Sequence, residues 1–204
     1  MKRTRAPRRK AAMIPAPMVM TADELLMLRM PDKRMELVRG RLVVREPAGF
    51  WHGDIAARVL VAISNYLTAD RGTQTSGAAR GRVVAAETGF TLQRNPDTVR
   101  APDVAYICTE RIPSAAHVGF ADVAPDLAVE VLSPSDRPGE VLSKVADWLT
   151  AGTLLVWTID PERRRARVYR ADGSDVVLSA DDYLDGEDVL PGFRASVSEL
   201  VDRP

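Results

Sequence analysis

Two acids in this chain sit where apolar strands have no ordinary use for them. Glu130 lies in the run Asp126-Leu127-Ala128-Val129-Glu130-Val131-Leu132. Strand alternation groups it with Ala128 and Leu132, away from the face shared by Leu127, Val129 and Val131. A carboxylate buried among such neighbours is costly unless a cation, a hydrogen-bond partner or a metal compensates it. An arginine such as Arg100 or Arg111 would serve as well as a metal, and Glu130 alone leaves both open. Asp103 opens a second apolar run over 102–107, directly after a proline that fixes the chain direction. An aspartate at a strand edge is often only a turn-former. Two carboxylates on adjacent strands of one sheet are a different matter, because they repel unless a cation lies between them. Oxygen donors of this kind suit Mg²⁺ or Mn²⁺, and no Cys/His cluster points to zinc.

Other side chains could join this pair. Glu36 is flanked by Met35 and Leu37 on an early strand, and spacing fits an exposed position and a third acid equally. Lys144 lies on the helix after the Glu130 strand, one turn beyond Glu140 and one turn before Trp148. It reads either as a surface pair with Glu140 or as an ammonium that reaches the acids and stabilises charge on a phosphate. His52 begins a long helix and either serves the helix start or faces the site; His117 has only a loop around it. There is no G-x-S-x-G element, Walker A loop or paired CxxC. Serine hydrolase, P-loop NTPase and zinc-site chemistries lose their main support.

The elements that must position these groups follow from pattern. Thr21 and Glu24 form a capping-box signal for a short helix ending before Pro31. Two strand-like runs around Arg39-Gly40 read as a hairpin. Apolar positions Ile55, Val59, Ala62, Ile63, Tyr66 and Leu67 predict a helix over 52–70, closed by Gly72. A Gly/Ser/Thr/Ala loop over 73–81 follows. Strands are expected at 82–86, 89–93, 102–107, 126–132, 153–159, 165–170 and 176–178. A turn is expected at 94–97, and a loop with one helical turn within 108–125. A helix over 138–151 has Pro near its start and Gly152 past its end, and a short helix closes the chain near 196–201. This is an α/β chain of α+β character: a mixed sheet flanked by helices, preceded by an N-terminal helix and a hairpin.

With 204 residues the chain suits one domain over 21–204. Net charge is +0 from 28 basic and 28 acidic residues, yet six of the bases fall within residues 1–10 and no acid precedes Asp23. The remainder carries 22 bases against 28 acids, a body of −6. That is not the basic surface of a protein that grips nucleic acid by charge alone. Residues 1–20 read as a disordered basic arm, without the apolar stretch of a secretory signal. No window approaches the ~20 apolar residues of a membrane helix. The single cysteine, Cys108, fits a reducing cytoplasm.

Taken in order, the motifs resemble a known family. E-L-V-x-G from Glu36 to Gly40, His52, P-D-V-A-Y-I from Pro102 to Ile107, P-D-L-A-V-E-V-L-S-P-S-D from Pro125 to Asp136, and Lys144 are similar to the Uma-type restriction endonuclease family of the PD-(D/E)XK nuclease superfamily. V-W-T-I-D-P (Val156 to Pro161) and L-P-G-F (Leu190 to Phe193) add to the likeness, which spans roughly 21–202. It implies a restriction-endonuclease-like core with a metal site. Asp103 would be the aspartate of the first element, Glu130 the acid of the second, and Glu36 the acid from the early part of the fold. The superfamily pattern places a lysine two residues after the second acid. Leu132 stands there, so the resemblance assigns that role to Lys144. Asp103 and Glu130, with the backbone carbonyl of Val131, would hold Mg²⁺ or Mn²⁺. The implied activity is hydrolysis of phosphodiesters, in DNA before RNA, by a homodimer. The rival is a nuclease-fold binding protein without catalysis, which the acidic body and Leu132 favour.

Overall fold

A computed structural model describes residues 19–31, 33–69 and 81–203. The expected arm over 1–20, Gly72 and the 73–81 loop lie almost wholly outside the described residues. Helix α1 (Ala22–Met27) carries both halves of the capping box. Glu24 N donates to Thr21 Oγ1 at 3.2 Å and Thr21 N to Glu24 Oε2 at 2.7 Å. Strands β1 (Arg34–Val38) and β2 (Arg41–Arg45) form the hairpin. Arg39 and Gly40 at its turn have φ of 48° and 74°, the left-handed pair that a two-residue turn requires.

The hairpin does not stand apart. It belongs to a sheet ordered β2-β1-β5-β4, with β4 at Phe90–Gln93 and β5 at Thr98–Arg100. No local pattern marks β5, since three residues are too few to reveal a period. Ala22 and Leu25 of α1 bury against Leu37 and Val99 of this sheet.

The main sheet has order β10-β9-β8-β7-β6-β3. Its strands are β3 (Gly81–Ala85), β6 (Val104–Cys108), β7 (Leu127–Val131), β8 (Leu155–Asp160), β9 (Arg165–Arg170) and β10 (Asp175–Leu178). A one-turn 3₁₀ helix, Thr109–Arg111, supplies the helical turn expected after β6. Only β7 and β8 run parallel, and α3 (Pro138–Thr150) makes the crossover that a parallel pair needs. Both faces of the sheet are covered. Leu127, Val129 and Val131 share one core with Ile55, Val59 and Ile63 of α2 (Phe50–Ala69) and with α4 (Val197–Val201). Ala128 and Val156 pack on the opposite face against Val145 and Trp148 of α3. α2 begins two residues before the expected start at 52; Phe50 and Trp51 are exposed and add nothing to the apolar stripe. A second unanticipated pair, β11 (Tyr183–Asp185) and β12 (Arg194–Ser196), brings Leu184, Leu190 and Phe193 into the larger core. The result is the mixed sheet flanked by helices that the pattern implied. No helix among the described residues is long and apolar enough to cross a membrane.

Candidate functional site

Because α3 covers the face of β7 that carries Glu130, this carboxylate is only 4% exposed. Its charge is met by that same helix. Lys144 Nζ donates to Oε2 at 2.7 Å and Trp148 Nε1 to Oε1 at 3.0 Å. Lys144 and Trp148 are four residues apart, so one helix face delivers both. Neither arginine considered from the sequence plays this part. Arg111 binds Asp126, and Arg100 binds Glu36 and Asp147.

Asp103 is placed by the antiparallel pairing of β6 and β7. Val104 sits opposite Val129, so the register extended by one residue sets Asp103 against Glu130. Asp103 N donates to Val129 O at 3.1 Å, and Asp103 Oδ2 accepts from Val131 N at 2.7 Å. Oδ1 accepts from Arg34 Nη2 at 3.0 Å and lies 2.8 Å from His52 Nε2. The two acids are therefore neighbours, and each meets its own protein partners: Asp103 a guanidinium and an imidazole, Glu130 an ammonium.

Glu36 is buried on β1. Its Oε2 accepts from Arg100 Nη1 at 2.9 Å and its Oε1 from Ala101 N at 3.2 Å. Arg100 also donates through Nε and Nη2 to Asp147 of α3, at 3.0 and 2.6 Å. This buried fork ties the hairpin sheet to the helix that holds Lys144. Val131 lines the cleft, and its N–H is the group engaged by Asp103. Arg34 was not among the expected site residues, and His52 was left open between the helix start and the site. Arg34 was legible in principle, since period two puts it on the face of β1 that carries Glu36. His52 needed the tertiary fold, because nothing local distinguishes a helix-start histidine from one that crosses to another strand.

These groups line an open cleft of about 600 Å³. Its walls carry seven carboxylates (Glu36, Glu46, Glu87, Asp103, Glu130, Asp136 and Glu140) against four permanent cations (Arg34, Arg45, Arg137 and Lys144). Among the lining side chains acids therefore outnumber permanent cations by three. Burial pushes Glu130 above the usual carboxylate range; Lys144 offsets part of this, while the charges of Asp103 and Glu36 add to it. Burial likewise works against the Lys144 ammonium, yet Glu130 and Glu36 hold it above its ordinary value. Burial opposes ionisation of Asp103 too, but the His52 contact, the Val131 N–H and the Arg34 charge keep it below the usual range. Among the described residues no group of three or more His, Cys, Asp or Glu side chains is arranged to hold a metal.

No curated protein matches the chain. Its fold is similar to the crystal structure of "a putative nuclease belonging to DUF820 from Anabaena variabilis", with a TM-score of 0.72 and 24% sequence identity over 89% of this chain and 97% of that one. The Uma2 family pattern, described as "Putative restriction endonuclease", matches residues 22–198, from the first residue of α1 into α4, and the chain belongs to that family.

Proposed function

We propose that the chain is a divalent-metal-dependent nuclease that hydrolyses phosphodiester bonds in DNA. The observation that carries this reading is the buried Glu130–Lys144 contact beside Asp103, in a cleft whose lining acids outnumber its lining permanent cations. An anionic phosphate does not enter so negative a cleft unless a cation enters with it. Asp103 and Glu130 would hold Mg²⁺ or Mn²⁺, with the Val131 carbonyl as a further donor and Glu36 in reserve for a second ion. The donor set fits such an ion. Mg²⁺ is commonly held through one or two carboxylates plus water and substrate phosphate, not by an all-protein cage. Each carboxylate offers about four lone-pair sites, and the three hydrogen bonds on Asp103 and two on Glu130 leave some open. When bound, the ion lowers the pKa of water and braces phosphate oxygens.

The chain's own residues do the rest. Lys144 directs the attacking water or neutralises charge as it builds on the phosphate. Trp148 fixes the Glu130 carboxylate through Oε1. Arg34 and His52 keep Asp103 ionised, ready for a cation. A homodimer would supply two such sites for two strands, and sedimentation velocity would read the assembly. Trp51, at 36% exposure, is then the tryptophan available for a contact, since Trp148 and Trp157 are fully buried.

The test is nicking of supercoiled plasmid with Mn²⁺, repeated with a chelator, with Asp103→Ala and Glu130→Ala, and on RNA. Activity is expected only for the parent with metal, and equal cutting by the variants sinks the assignment. The second reading, a nuclease-fold binding protein without catalysis, is favoured by the separate cation on each acid and by Leu132. Calorimetric Mn²⁺ binding with no nicking on any substrate would support it.

A further inference from the structure

A second cleft, of about 540 Å³, adjoins the first. The two share Leu132, Ser133, Asp136 and Val141 as walls, so they lie side by side. Their chemistry differs. In the second cleft three acids (Asp136, Asp160 and Glu162) face three arginines (Arg163, Arg165 and Arg167), and the net charge is zero. Leu142 and Val177, 51% and 52% exposed, present apolar surface to it. The Arg167 guanidinium lies over the Tyr169 ring at 5.0 Å from its centroid, which offers a planar cationic platform. The arginine side chains are 67%, 47% and 43% exposed, so their pairings with Asp160 and Asp175 are open to exchange.

We infer that this second cleft is a nucleotide subsite. It takes an unpaired base of the substrate strand, next to the phosphate held in the first cleft. A neutral cleft with apolar walls, a guanidinium stacked on an aromatic ring and arginines at hand matches a heteroaromatic base and its phosphate. Unpaired bases are bound by stacking on aromatic and guanidinium planes, with cations along the backbone. Leu132 gains a role from this. The residue standing at the superfamily's usual lysine position is apolar and walls both clefts. The inference rests on the nuclease reading for the identity of the strand, but it predicts binding, which is measured separately from cleavage.

The test is fluorescence anisotropy of a labelled oligothymidylate of about eight nucleotides, with Ca²⁺ in place of Mn²⁺. Leu142→Asn removes apolar wall at an exposed position. Arg167→Lys keeps the charge and loses the plane. Each is expected to weaken binding by about fivefold or more, with calorimetric Mn²⁺ affinity within about twofold of the parent. Weakened strand binding in the variants, alongside a parent that nicks no plasmid, upholds the subsite and removes the nuclease reading. A parent that nicks plasmid, with variants that bind the strand as it does, does the reverse. A parent that binds no single strand, or that binds only duplex with the variants unaffected, also overturns the subsite.

Discussion

Replacing Lys144 with methionine leaves Glu130 buried with its tryptophan partner and no cation. Lys144 Nζ lies 2.7 Å from Glu130 Oε2, with the two side chains 16% and 5% exposed. Removing one member of a buried pair typically costs about 3–5 kcal/mol, and the partial exposure of Lys144 puts the expected loss near the lower figure. The loss depends on pH. Glu130 is already held above the usual carboxylate range by burial, and without Lys144 it rises further. An acid whose folded pKa exceeds its unfolded value binds a proton more tightly when folded. The destabilisation builds as pH rises from the unfolded value of about 4.3 and is complete above the folded pKa, so the penalty shrinks as pH falls back toward the unfolded value. Urea unfolding in chelator, followed by fluorescence of the buried Trp148 and Trp157, should show Lys144→Met about 3 kcal/mol less stable at pH 8 and clearly closer to the parent at pH 5. Adding Glu130→Gln should recover most of the pH 8 loss, since the amide still accepts from Trp148 and carries no charge. A loss at pH 8 below about 1 kcal/mol, the scale of an exposed pair, refutes the reasoning. So does a loss that is the same at both pH values.

Three further outcomes are expected. Arg100→Met leaves Glu36 and Asp147 without their shared guanidinium and should cost about 3–5 kcal/mol in denaturant unfolding; Arg100→Lys should recover only part, because one ammonium cannot reproduce the fork. Asp97 accepts from Ala22 N and Asn95 N at 2.9 and 3.0 Å. Although burial opposes its ionisation, these bonds and Arg94 depress its pKa. It therefore stabilises above the unfolded value, and that contribution fades as pH falls through the folded one; Asp97→Ala should also speed amide exchange throughout α1, read by mass spectrometry. Burial, aided by the charges near Cys108 and Asp126, pushes the Tyr106 hydroxyl up to about 12. Ultraviolet titration should show one tyrosine ionising last, with stability falling as pH rises from about 10 toward that value, because the folded state keeps a proton that the unfolded chain has lost.

Local signals carried much of the fold. The capping box at Thr21 and Glu24, the left-handed turn at Arg39-Gly40, the helical stripe through Ile55, Val59 and Ile63 and the alternation in β7 are each written in a few neighbouring residues. β5, β11 and β12 are three residues each and are strands only because a partner strand lies beside them. The site divides the same way. Glu130 and Asp103 were conspicuous because a carboxylate in an apolar strand demands compensation. Lys144 was placed on the right helix, but whether it turned toward Glu140 or Glu130 depended on which face of α3 meets the sheet. Arg34 and His52 reach Asp103 from 69 and 51 residues away along the chain, and no spacing rule spans such separations.

The amino-acid sequence by itself determined which residues carry charge into apolar surroundings: on β7, at the start of β6 and on α3. Tertiary structure alone decided how those charges are met. Antiparallel pairing of β6 with β7 made neighbours of Asp103 and Glu130, and the packing of α2, α3 and the hairpin sheet gave each acid its own cation. The physical reason is range: burial periodicity and capping act over a few residues, whereas an ion pair is made wherever the folded chain brings opposite charges within about 4 Å, however far apart they are along it.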